Sequence, residues 1–205
     1  MYWIFLCLML IACTSSDKPT TAFPWVTIAG REEPRTPLYR AQVAPVLRLK
    51  PELQVLSLKP ELQNLKDTTI PLAEFTIEDV KVTVHNFPSD RLEDRIPPAA
   101  QIARWKQQFD EILPSNTQIS PAAHGGFSGL YFQGTGISHG LPHAVLGWSM
   151  QIAPEHYQNL HDQRYRQMRS DYTIKAVGPP DQIQKHRKEI EQFANTFELI
   201  EEIPS

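Results

Sequence analysis

Proline sets the first limit on what this chain can fold into. Of its 205 residues 18 are proline, twice the number of glycines (9), and they are unevenly placed. Eight fall between Pro19 and Pro71, while the 134 residues from Leu72 onward hold ten. Each proline deletes a backbone donor and restricts the residue before it. The early part is therefore expected to hold no long helix and no central strand. Residues 22–71 read as a proline-rich apron of extended segments and turns on the surface, and residues 72–205 as the regular domain.

Inside the apron, Leu49-Lys50-Pro51-Glu52-Leu53-Gln54 recurs nine residues later as Leu58-Lys59-Pro60-Glu61-Leu62-Gln63. Two copies cannot build a solenoid, which needs three or more longer units. Each Lys-Pro-Glu can open a single helical turn. The pair reads as a duplicated surface loop or as a partner-docking arm with leucine anchors.

Beyond residue 72 the patterning is regular. Glu74 to Ile77 and the alternating Val80-Lys81-Val82-Thr83-Val84-His85 read as two strands, ended by the turn cluster Asn86-Phe87-Pro88-Ser89-Asp90. Ile102, Trp105, Phe109, Ile112 and Leu113 make one apolar stripe, which predicts a helix from Pro97-Pro98 to Leu113. Residues 126–134 and 144–153 read as antiparallel strands joined by a glycine-rich connection over 134–143; Leu146, Trp148, Met150 and Ile152 share one face. Tyr131 and Phe132 point to opposite sheet faces. Asp171 to Val177 is a further strand. A last helix is expected over 181–197, with Ile183, Ile190, Phe193 and Phe197 buried and Lys185–Glu189 and Lys188–Glu191 as surface pairs. Strands running between segregated helices predict an α+β fold, an antiparallel β-sheet with flanking helices.

Hydrophobic residues make up 41% and charged residues 21%, enough for a real core. A net charge of −3 excludes a dedicated nucleic-acid binder, which carries a basic footprint. The only cysteines are Cys7 and Cys13, so no disulfide framework exists.

Residues 1–12 (MYWIFLCLMLIA) are uncharged and apolar. The run is too short to span a bilayer and has the length of a signal-peptide core. It ends Leu10-Ile11-Ala12-Cys13, which resembles the bacterial lipobox. That resemblance implies cleavage before Cys13, a lipid on its thiol, and a polar tether over 13–21. It implies an extracytoplasmic, membrane-anchored protein, and the absence of aspartate after Cys13 leans toward the outer membrane. Acyl chains contribute about 0.8 kcal/mol per buried methylene.

The residues bear on three chemistries. Hydrolysis needs G-x-S-x-G; Ser128 has its second glycine one position early and Ser149 lacks it. A metal site would draw on His124, His139 and His143 in the glycine-rich 124–143 loops, although no H-E-x-x-H occurs and Gly140 and Pro142 forbid a helix between the last two. No phosphate-binding glycine loop is present. A basic cluster, Arg164, Arg166, Arg169, Lys175, Lys185, Arg187 and Lys188, reads as a solvated face or as a docking face for a partner or an anionic lipid.

The strand, glycine-rich hairpin, strand and terminal helix ending Gln192-Phe193-Ala194-Asn195-Thr196-Phe197-Glu198-Leu199 resemble the end of PsbP-like proteins. That family includes photosystem extrinsic subunits and bacterial lipoprotein relatives. The resemblance implies an antiparallel sheet between helices, and a docking or assembly role without catalysis. Val84-His85-Asn86-Phe87-Pro88 and Arg95-Ile96-Pro97-Pro98 are similar to runs in small lipoproteins of chlamydia-like bacteria. The expected function is a lipid-anchored binding or assembly protein with no catalytic residue and no cofactor beyond the lipid. Its partners would be the membrane and a protein, not nucleic acid. The alternatives are a small-ligand or metal module and a hydrolase.

Overall fold

The computed structural model describes residues 22–31, 35–50, 67–160 and 165–202. Cys13, the 13–21 tether, Arg164 and nearly all of the Leu-Lys-Pro-Glu-Leu-Gln pair lie outside the described residues. The chain forms mostly antiparallel β-sheet with a few short helices. Its strands are β1 (Trp25–Ala29), β2 (Pro37–Gln42), β3 (Arg48–Leu49), β4 (Ala73–Ile77), β5 (Val80–Phe87), β6 (Glu111–His124), β7 (Phe127–Ser138), β8 (Leu141–Ile152), β9 (Asp171–Gly178) and β10 (Glu198–Leu199). Its α-helices are α1 (Pro98–Lys106), α2 (Pro154–Asn159), α3 (Pro180–Lys185) and α4 (Arg187–Asn195). A seven-stranded sheet runs β3-β4-β5-β9-β8-β7-β6, and a small sheet runs β1-β2-β10.

Alternation decides which side chains meet. Val80, Val82 and Val84 of β5, Tyr172, Ile174 and Ala176 of β9, and Leu146, Trp148, Met150 and Ile152 of β8 all enter one core. Ile183, Ile190, Phe193 and Phe197 close over it, together with Tyr39 and Ala41 of β2. Tyr39 and Tyr172 both pack on Phe197, with ring centroids 4.8 and 4.6 Å away. On the opposite face α1 sets Ile102 and Trp105 against Phe132 and Val145. Gly147 permits this: a Cβ there would lie 2.3 Å from the Trp105 ring. Because α1 rests on β7 and β8, the neighbouring β5–β9 surface stays open beside it.

Several expectations are corrected. The described part of the apron packs into the body: Ile28, Tyr39, Ala41, Val43, Ala44 and Leu47 are core residues, since β1 and β2 join β10 in the small sheet. The described prolines there, Pro24, Pro37, Pro45 and Pro71, occupy strand ends and turns, where no ladder donor is lost. The helix expected to Leu113 stops at Lys106. Phe109 and Ile112 still reach the small core, now from a turn and from β6, and Leu113 is exposed. The apolar spacing was satisfied without a helix. β6 went unread because it is an edge strand with an irregular register between Ile112 and Thr117.

The glycine-rich connection at 134–143 is continuous strand, broken only by His139-Gly140, both at positive φ. Gly125-Gly126 turns β6 into β7 in the same way. Two-residue turns of this hand match the twist of the strands they join. The last helix is divided at His186, with its buried face as expected. Lys185 pairs with Glu78 rather than Glu189, and Glu191 pairs with Arg187 rather than Lys188.

The segment between β5 and α1 is pinned from beneath. Arg95 Nε donates to both Asp171 oxygens at 3.0 and 3.1 Å, and its Nη2 donates to the Ile152 carbonyl at 2.7 Å. Gln151 Nε2 donates to Asp171 Oδ2 at 2.9 Å and to the Ile96 carbonyl at 3.2 Å. This network sets where α1 begins.

Candidate functional site

The outward set of β5 and β9 forms the floor of a groove. Pairing puts His85 opposite Thr173 and Thr83 opposite Lys175. Lys175 also lies opposite Gly147 on β8, directly beneath Trp105. α1 supplies one wall through Gln101, Arg104 and Trp105, and the loop at 67–70 supplies the other through Thr68 and Thr69. The groove encloses about 340 Å³, within the range of small-ligand sites.

Its walls are held by specific bonds. Lys175 Nζ donates to Gln108 Oε1 at 3.0 Å. His85 Nε2 donates to the Thr69 carbonyl at 3.2 Å. The 67–70 loop is tied down by Arg31, whose Nη1 and Nη2 donate to the carbonyls of Asp67 and Ile70 at 3.2 and 2.8 Å. Arg31 Nε also donates to Asn86 Oδ1 at 2.6 Å. Burial brings the Arg31 guanidinium down to about 10.

The electrostatics are one-sided. The lining holds His85, Arg104 and Lys175 and no carboxylate. Burial, and then the nearby charge of Lys81, pull the Lys175 ammonium below its ordinary range. Burial likewise lowers His85, with smaller contributions from Arg31, Lys175 and Lys81 in the same direction and the Thr69 carbonyl opposing. These groups can bind and orient a ligand. No nucleophile hydrogen-bonded to a base lines the groove.

The residues singled out from sequence are scattered. His124 closes β6, where its Nε2 and the Tyr172 hydroxyl share a hydrogen bond of 2.7 Å. His139 and His143 sit at the far end of the hairpin, beyond the twelve residues of β7. That is roughly 35–40 Å of strand at about 3.3 Å per residue, so the three histidines do not converge. Among the described residues no cluster of His, Cys, Asp and Glu could hold a metal ion. Ser128 and Ser149 lie on β7 and β8, and neither hydrogen-bonds a histidine among the described residues.

The basic cluster is also divided. Arg166 pairs with Asp90 at 2.8 Å and Arg169 is buried over the Tyr157 ring, both beyond the Phe87 end of β5. Lys185 pairs with Glu78 at the other end. Arg187 bonds Glu191 and the Tyr131 hydroxyl at 2.6 and 3.1 Å, and Lys188 is exposed on α4. Of the described members of that cluster, only Lys175 lines the groove.

Sequence reasoning missed the groove as a site. Lys81, Thr83 and His85 alternate with buried valines, as Thr173 and Lys175 alternate with Tyr172, Ile174 and Ala176. That polar phase was the available signal, but only the β5–β9 pairing joins the two sets.

No family model matches the chain, so the PsbP-like resemblance rests on the quoted residues alone. No curated protein matches it. Among solved structures it is similar to LpqN, involved in cell envelope biogenesis of Mycobacterium tuberculosis. The identity is 13% over 86% of this chain and 90% of that one, with a TM-score of 0.49. A Pseudomonas aeruginosa protein of unknown function shows 10% identity over 63% of this chain and 78% of that one, with a TM-score of 0.40. At those scores neither likeness carries an argument about function. No helix among the described residues is long and apolar enough to cross a membrane.

Proposed function

We propose that this chain is a lipid-anchored protein of the bacterial cell envelope that binds a small ligand in the groove beside α1, without catalysing its conversion. The groove carries the reading: donors from β9, α1 and the 67–70 loop face one space of about 340 Å³. The donors from β9 and α1 sit on a paired strand and on a helix fixed by Arg95, and the 67–70 loop is tied down by Arg31, so the site is preorganised. Rigid elements hold binding groups more accurately than loops do. The anchor rests on the sequence, where Leu10-Ile11-Ala12-Cys13 closes an apolar run ahead of a small polar spacer.

Two measurements test this reading. Metabolic labelling with a fatty-acid analogue should mark the protein, and Cys13→Ala should abolish the label and release the chain from membranes; unchanged labelling removes the anchor. A nuclear magnetic resonance titration with neutral, cationic and anionic small molecules should perturb Thr173, Lys175 and α1. Perturbations confined to other surfaces would discard the groove.

A further inference from the structure

The groove's charge names the class of its ligand. The whole chain is net acidic, at −3, yet this recess is lined by basic and neutral groups alone. Arg104 makes no hydrogen bond or ion pair among the described residues, and Lys175 has a neutral amide as its partner. Many surface cations do reach a carboxylate, among them Arg40, Lys50, Arg91, Arg166, Lys185 and Arg187. Among the described residues Arg48, Lys106 and Lys188 do not, and what sets the groove apart is two cations sharing one recess with no carboxylate in its lining. Lys175 is half-buried, and the charge facing it is another lysine, Lys81. A partly desolvated cation without a counter-charge is an unfavourable arrangement unless a ligand supplies one.

From these observations we propose that the groove binds a dianionic phosphate monoester, held by Arg104 from α1 and Lys175 from β9. Two cations call for two negative charges. A phosphate monoester carries about −1.5 to −2 near neutral pH and offers three acceptor oxygens. A monocarboxylate would leave one cation unmatched, and a cationic ligand would add to the excess. Thr69 and Thr173 hydroxyls and the Gln101 amide line the same space and supply neutral donors for the remaining oxygens. Ile96, Phe87 and Trp105 give an apolar wall for the esterified part.

This inference rests on the groove being the binding site, and the experiment separates the two. The full chain is titrated with inorganic phosphate, with glycerol 3-phosphate, and with phosphatidylcholine vesicles containing or lacking phosphatidic acid. Resonances of Thr173, Lys175 and α1 report occupancy. Saturable shifts with a phosphate probe are expected, weakened about tenfold or more in Arg104→Gln and in Lys175→Gln. Lys188→Gln, on the opposite face, should bind as the parent does. Gln101→Glu removes no ion pair and adds a repelling charge, so it should weaken binding with the fold intact. A response to the soluble esters assigns a soluble ligand; a response only to phosphatidic acid vesicles assigns the same headgroup on a lipid. Neutral or cationic molecules filling the groove while every phosphate probe fails would overturn the anion assignment and leave the groove standing. Phosphate binding unaltered in all three groove variants would overturn the site. A groove that nothing perturbs ends both readings.

Discussion

Asp171→Ala tests the account of how α1 is held. The Arg95 and Asp171 side chains are 6% and 8% exposed. The carboxylate accepts from Arg95 Nε at 3.0 and 3.1 Å and from Gln151 at 2.9 Å. Truncation leaves the guanidinium buried with one remaining carbonyl, that of Ile152 at 2.7 Å, and the face of Tyr157 at 5.1 Å. Removing one partner of a buried pair costs about 3–5 kcal/mol, because the surviving charge stays uncompensated. With a urea slope of about 2–3 kcal/mol per M, the unfolding midpoint should fall by about 1–2.5 M. Tryptophan fluorescence and circular dichroism across a urea series measure this. The double variant Arg95→Met with Asp171→Leu should recover most of the loss, since apolar replacement of both partners is often neutral. A single-variant cost below about 1 kcal/mol, the range of exposed pairs, would refute the claim that this pair pins the segment before α1.

Three further outcomes follow from named contacts. Gly147→Ala drives a Cβ to 2.3 Å from the Trp105 ring; it should cost about 1–3 kcal/mol and red-shift tryptophan emission as α1 lifts. Arg31→Met frees the carbonyls of Asp67 and Ile70, and amide exchange should rise at 67–70 well before global unfolding. His85 and His124 are both lowered by burial, so between their folded values and about 6.5 the unfolded chain binds more protons. Their contribution is complete above about 6.5 and is lost as pH falls through the depressed folded values, so the urea midpoint should drop from about pH 7.5 to about pH 5. His85→Gln should flatten that dependence.

Period-2 patterning made β4, β5 and β9 readable, because one face of each is buried and the other is largely polar. β8 was readable from Leu146, Trp148, Met150 and Ile152 alone, since α1 buries its other face too. The buried face of 181–197 was readable for the same reason, although the break at His186 was not. β1 and β2 were hidden by their prolines, which argued for surface when they marked strand ends and turns. β6 was hidden by exposure: Leu113 and Ile119 are 51% and 47% exposed and show no alternation. The groove was illegible because its residues come from β5, β9 and α1. His85 and Thr173 are 88 positions apart yet directly paired. Histidine spacing within 124–143 pointed instead to residues that a β-hairpin separates.

The small sheet has a consequence for the order of events in synthesis. β10 pairs with β2 through Glu198 with Arg40 and Leu199 with Tyr39. The two residues of the Arg40–Glu198 bond are 158 positions apart. Tyr39 therefore has no Phe197 to stack on until some 158 further residues have been made. Contacts of such long sequence separation form slowly. A chain whose early strands wait for residues 197–199 keeps its small sheet unfinished until those residues have been made. Closure of that sheet then reports that they have arrived.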